Sequence, residues 1–273
     1  RCMAQLEQSL GNADAAGKWE AIYRKLKDKI NELYWDEQDG FYYDVAIENR
    51  QPCRIRTMAS YWPLLAGVAS PAQAEKMVKY LLDPQEFGGD YPTPTLSRRD
   101  KDYHGQTGDY WRGGIWLPTT YMTVKALEEY GYHEEADTIA EKIIRQQLAA
   151  YHGIKPHTIW ECYSPSSNEP STEHGRRARP EFCGWSALGP ISLFIENVLG
   201  FHKISALRNE VQWRLKREKG RHGLKNLHFG TTTTDIVFDG KNTVGVTSNN
   251  PYSLVINGKK YAIKPGTTSI ILK

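Results

Sequence analysis

A chain of 273 residues, 40% apolar and 25% charged, is long enough to bury a sizeable core as one large domain or two smaller ones. Its net charge of +3, with no Lys/Arg cluster interleaved with aromatics, argues against a nucleic-acid partner, and no apolar run reaches membrane-spanning length. Four cysteines (Cys2, Cys53, Cys162, Cys183) lack CxxC or CxxH spacing, so no zinc cluster is expected, and no other metal or cofactor is expected either; Cys162 and Cys183 either pair or serve as small core residues.

Trp19, Ile22, Leu26, Ile30 and Leu33 recur every three or four residues and predict one face of a helix over 18–34. Asp39-Gly40 then makes a turn between aromatic flanks. Met58 to Val68 predicts a largely buried helix. Ser70-Pro71-Ala72-Gln73 opens the next as N-cap, first-turn proline and capping box, with Ala74, Met77, Val78, Leu81 and Leu82 facing the core. Residues 84–113, rich in Gly, Pro, Asp and Tyr, predict a loop long enough to suggest function. Helices follow from about Pro118 to Tyr130 and from about Glu134, with Ile139, Ile143, Ile144 and Leu148 buried. A last helix is expected from roughly Trp185 to Leu199.

Beyond Phe201 the period changes to two. Val211, Trp213 and Leu215 alternate with polar residues, Ile236/Phe238 and Val244/Val246 flank an Asp239-Gly240 turn, and Asn257-Gly258 marks a hairpin. The organisation expected is a helical domain over 1–203, built from helical hairpins, and a small antiparallel β domain over 204–273.

One carboxylate stands in an aromatic frame. Glu161 lies between Trp160 and Tyr163, followed by Pro165, and burial there disfavours its charged form unless it is used or paired. Ser166–Pro180 reads as a polar surface excursion, after which Phe182 and Trp185 return to apolar packing. An acid, aromatic rings and a polar loop together suit a sugar. Tyr163, Trp160 and the backbone are the expected donors to Glu161, and a plain salt bridge to Arg112 or Arg179 is the structural alternative. Trp116 is expected in the core, and Trp111 and Trp185 on sugar faces. Asp90, Asp102, Asp109 and Glu181 are simplest as solvated loop charges, as is the run Arg176-Arg177-Ala178-Arg179.

Five segments in order resemble the (α/α)6-barrel, or six-hairpin, glycosidases, most closely glycoside hydrolase family 63 and its mannosylglycerate hydrolase-like relatives. They are Trp35-Asp-Glu-Gln-Asp-Gly-Phe-Tyr-Tyr-Asp44, Tyr61-Trp-Pro-Leu-Leu-Ala-Gly67, Tyr110-Trp-Arg-Gly-Gly-Ile-Trp116, Trp160-Glu-Cys-Tyr-Ser-Pro165 and Gly184-Trp-Ser-Ala-Leu-Gly189. The resemblance implies an inverting hydrolase of α-glycosidic bonds in α-glucosides or α-mannosides, with Glu161 as general base. It places Tyr110, Trp111, Arg112, Gly113, Tyr163 and Trp185 around an oligosaccharide or small glycoside. Gly114 stands where such proteins usually have Pro, and Cys162 where they have Asn. The general acid, an Asp in a Ser-Gly-x-Asp-x-Ser-Pro segment, has no counterpart here. The expectation is therefore the C-terminal part of the barrel, completed by an N-terminal segment or chain that supplies the acid. The rival reading is a non-catalytic carbohydrate-binding protein, a decayed relative of such enzymes.

Overall fold

Seven α-helices carry the first part of the chain: α1 (Cys2–Ser9), α2 (Ala13–Tyr34), α3 (Trp62–Leu65), α4 (Pro71–Leu82), α5 (Leu117–Glu129), α6 (His133–Gly153) and α7 (Cys183–Ser186). The structure, a computed structural model, describes residues 1–272. It divides into compact units Arg1–Gly189 and Pro190–Lys273.

Local chemistry sets the helix ends. Ser70 Oγ accepts the Gln73 N–H at 3.2 Å while Gln73 Oε1 accepts the Ser70 N–H at 2.7 Å, the expected capping box. Ala74, Met77, Val78 and Leu81 are buried, whereas Leu82 is exposed. The helix expected over Met58–Val68 is shorter: a 3-10 turn (Met58–Tyr61) leads into α3, and the chain turns out at Gly67 with φ +67°. On α6, Ile139 and Ile143 are buried but Leu148 is exposed. The periodic face of α2 is also largely open. Trp19, Ile22 and Leu26 are 38%, 48% and 56% exposed, and Met3 and Leu6 on α1 and Leu10 at its C-terminal end are exposed with them.

β1 (Trp35–Asp36) pairs with β2 (Phe41–Tyr42) around the Asp39-Gly40 turn, Gly40 having φ +64°. No helix or strand occupies residues 83–116. Single rungs hold that stretch instead: Thr57 pairs with Leu96, Pro94 with Ile115, Ile115 with Tyr163, and Tyr163 with Pro170. The buried Glu86 carboxylate anchors the loop, accepting from Arg56 Nη1 at 2.8 Å and from the Ser97 hydroxyl. A buried carboxylate so paired ties its segments together, and loss of one partner would leave an uncompensated charge. Within Ser166–Pro180, the expected excursion, β3 (Thr172–Glu173) and β4 (Arg176–Arg177) form a short hairpin turned by His174 and Gly175, both at positive φ.

In place of one last helix, α7 is followed by a wide, π-wound segment, Leu188–Val198, in which the chain leaves the first unit. Ile195, Leu199 and Phe201 pack into the core of the second unit, so the units part before residue 203. Eight strands build the rest: β5 (Lys203–Ser205), β6 (Glu210–Trp213), β7 (His222–Phe229), β8 (Thr232–Phe238), β9 (Thr243–Ser248), β10 (Tyr252–Ile256), β11 (Lys259–Ile263) and β12 (Gly266–Ile271). They form two four-stranded sheets, ordered β11-β10-β6-β5 and β12-β9-β8-β7. Val211, Trp213, Ile236, Phe238, Val244, Val246 and Leu254 point between the sheets, giving a sandwich core. The buried Trp213 indole N–H is satisfied by Leu199 O at 2.7 Å.

One pairing departs from an antiparallel unit: β6 and β10 run parallel, Val211 opposite Leu254. Three strands of the other sheet intervene between them in sequence, which supplies the long crossover that parallel pairing needs. The Asn257-Gly258 turn has φ of +48° and +81°, as a two-residue hairpin of this type requires.

Candidate active site

Glu161 is positioned by backbone rungs on both sides. Its N–H donates to Arg179 O at 3.0 Å, and its own carbonyl accepts Ser186 Oγ from α7 at 2.9 Å. Ile115 and Tyr163 exchange both backbone bonds, at 2.8 and 3.0 Å, which sets the Tyr110–Trp116 segment against Trp160–Tyr163. Glu161 is only 3% exposed. Tyr110 OH donates to Oε1 at 3.5 Å, Arg179 Nε lies 3.9 Å from Oε2, and Oε2 has no hydrogen-bond partner among the described residues. A buried carboxylate with one oxygen uncommitted is suited to orienting a water or a substrate hydroxyl. Burial first, and the Glu161 charge second, push the Tyr110 phenol up, so it stays a donor at neutral pH.

Three tryptophans stand beside this group. Trp116 is fully buried; Trp111 stacks on it at 4.2 Å and 3°, and Trp185 meets it edge-on at 5.6 Å. Trp111 and Trp185 are themselves 49% and 46% exposed. Trp116 is thus the plate, and the other two offer open rings. Tyr110 meets Trp116 edge-on at 4.7 Å and accepts its indole N–H through the backbone carbonyl.

Several expected partners are placed otherwise. Tyr163 is buried, and its hydroxyl accepts the Trp160 backbone N–H at 3.1 Å and Gln147 Nε2 at 3.3 Å, so it braces the loop and does not bond Glu161. Trp160 Nε1 is buried without a partner among the described residues. Arg112 turns away: its guanidinium bonds Asp109 Oδ2 at 3.2 Å and Asp102 O at 3.1 Å. Gly113, at φ +132°, lies under the Tyr103 ring, where a Cβ would fall 2.5 Å from Cε2. Cys162 and Cys183 are both free thiols; Cys162 is buried with Trp116 and Ala178, and burial pushes its thiol up to about 12. Among the described residues no group of three or more His, Cys, Asp or Glu is placed to hold a metal. No described helix is long and apolar enough to cross a membrane.

Left-handed backbone at Asp109 (φ +27°) and Tyr110 (φ +66°) aims the Tyr110 ring, a strain of the kind found at functional sites. Sequence patterns gave no sign of it. Gly108 and Gly114 make it possible by close approach: a Cβ on Gly108 would sit 2.4 Å from Gly114 N, and one on Gly114 2.4 Å from Tyr110 O. Gly114 N–H donates to Gly108 O and Tyr110 O, both at 3.0 Å, bonds that a proline at this position could not make. Gly114→Ala is therefore expected to lose about 1–3 kcal/mol in a urea melt. Gly17→Ala, in the exposed second turn of α2 with nothing within 4 Å, should gain about 0.5–1 kcal/mol. Equal melts for the wild type and Gly114→Ala would show that this turn is not the anchor.

Residues 1–183 match the family model described as the mannosylglycerate hydrolase MGH1-like glycoside hydrolase domain. The chain belongs to this glycoside hydrolase family. The match takes in four of the five motif segments and bears out the likeness to glycoside hydrolase family 63. An uncharacterised protein of Borreliella burgdorferi is 31% identical over 224 residues, 78% of this chain and 46% of that one. The mannosyl-oligosaccharide glucosidase of Saccharomyces cerevisiae is 28% identical over 216 residues, 73% of this chain and 25% of that one. The family 63 mannosylglycerate hydrolase of Thermus thermophilus, solved in complex with glucose, superposes with a TM-score of 0.56 at 19% identity. That superposition covers 70% of this chain and 43% of the other, and it shows likeness of fold. The chain thus spans less than half the length of these relatives.

Proposed function

We propose that this MGH1-like chain is the C-terminal part of an (α/α)6-barrel glycosidase that cleaves α-linked glucosides or mannosides with inversion. Glu161 is the general base. Inversion needs a second carboxyl group about 6.5–9.5 Å away, so that water fits between the base and the anomeric carbon. An Asp from an N-terminal portion supplies it and protonates the leaving oxygen.

The observation that carries the reading is the buried Glu161 with one oxygen uncommitted. The two open indoles, Trp111 and Trp185, give the sugar ring its apolar faces. The apolar ridge of Met3, Leu6, Leu10, Trp19, Ile22 and Leu26 supports further helices packing on α1 and α2. So does the share of the relatives' length that this chain spans. The test is turnover of α-linked glucosides and mannosides by the native protein, with its intact mass read alongside. Turnover at a mass well above 31.1 kDa, or with a second chain co-purifying, is expected. Absence of turnover by such a complete assembly would leave sugar binding without hydrolysis.

A further inference from the structure

A cavity of about 460 Å³ opens between the 106–107 loop and the 164–177 loop, its polar wall residues including Gln106, Thr107, Ser164, Ser167, Glu169 and Arg177. The proposed mechanism does not use it. Its walls are already bonded to one another. Thr107 Oγ1 meets Thr172 Oγ1 at 2.7 Å and His104 Nδ1 at 3.1 Å, and Ser164 Oγ donates to Gln106 O at 3.0 Å. From beneath, the buried Gln146 donates to Ser164 O at 2.6 Å and Ser167 O at 2.8 Å. A cavity so braced has little left to order when a ligand arrives.

Its charge pattern selects the ligand. Arg177 Nη2 and Glu169 Oε2 stand 4.0 Å apart, too far for a closed hydrogen bond, with side chains 49% and 57% exposed. An anion would meet Glu169, and a cation would meet Arg177. A neutral group that both donates and accepts can meet the two together. An uncharged polyhydroxy compound meets all of these demands, and a pyranose ring fits the volume.

Three chain segments join this cavity to the surroundings of Glu161. Ser164 follows Tyr163, Thr107 lies three residues before Tyr110, and Arg177 lies two before Arg179 with its guanidinium 5.7 Å from the centre of the Trp160 ring. We propose that the cavity is a second saccharide-binding site, distinct from the Trp111–Trp185 surface, which takes one uncharged pyranose unit between Arg177 and Glu169. The choice of sugars rests on the glycosidase reading; the binding itself does not need hydrolysis.

Amide-detected NMR titrations of the 273-residue chain with D-glucose, D-mannose and glycerol test this. Saturable shifts of the Ser167, Thr172 and Gly175 amides are expected with at least one of the two sugars and not with glycerol. Glu169→Gln and Arg177→Gln should each weaken that binding about tenfold, through loss of a charge-assisted hydrogen bond. Trp185→Ala should leave it unchanged. Both substituted loop positions are half-exposed, and the spectra report whether each variant is folded. Pocket amides that stay still up to about 100 mM of both sugars would overturn the proposal. So would equal movement with glycerol, or shifts lost in Trp185→Ala. Failed turnover with these shifts intact would sink the glycosidase reading and leave the site standing.

Discussion

Glu161→Gln should lower turnover by the complete enzyme about 10²–10⁴-fold, the usual worth of a positioned general base. The substitution keeps the size of a residue that is 3% exposed, and the amide oxygen can still accept from Tyr110 OH. What it removes is the carboxylate oxygen without a partner among the described residues, Oε2. Arg179 loses a charge 3.9 Å away, but its own side chain is 70% exposed, so stability should change by less than about 1 kcal/mol. Sugar affinity should hold while kcat falls. Undiminished kcat would take Glu161 out of the chemistry, and a parallel loss of affinity would make it a binding group.

Trp116→Ala should be the most damaging change to stability near the site, about 3–5 kcal/mol. The ring is fully buried, stacked under Trp111, met edge-on by Tyr110 and Trp185, and bonded through its N–H to Tyr110 O. Its loss would hollow the plate on which the other aromatics rest. Trp185→Ala makes the informative contrast. At 46% exposure it should cost roughly 1 kcal/mol or less of stability while weakening sugar binding tenfold or more. Calorimetric melts and sugar titrations of both variants separate the roles. A large melting loss in Trp185→Ala with unchanged affinity would make that ring core as well.

Features set by a few neighbouring residues were legible in the sequence. The Ser70 capping box, the Asn257-Gly258 hairpin and the alternation along β6, β8 and β9 rest on chemistry within a handful of positions. The face of α2 shows the limit. Periodicity tells which of Trp19, Ile22 and Leu26 share a side, and nothing about what covers it. The parallel β6–β10 pair lay beyond reach for a similar reason, since a long excursion leaves the direction of return open.

The site divides in the same way. Glu161 in its aromatic frame and the difference between Trp116 and its two neighbours could be read from adjacent residues. Which tyrosine bonds Glu161 could not. Tyr110 does so because Asp109 and Tyr110 are left-handed, and that depends on Gly108 and Gly114 meeting across the loop. Likewise Arg179 approaches Glu161 through a backbone rung between distant segments, while Arg112 is spent on Asp109 and Asp102.

The stereochemistry of the first product tests the central claim most directly. Proton NMR of the sugar released from an α-linked glucoside or mannoside by the complete enzyme, followed before mutarotation, should show the β-anomer first. That outcome requires a water attacking from the face opposite the leaving group, as Glu161 acting as base would direct it. The α-anomer appearing first would mean retention through a covalent intermediate, with carboxyl groups only about 5–5.5 Å apart, and would contradict Glu161 as the base of an inverting reaction.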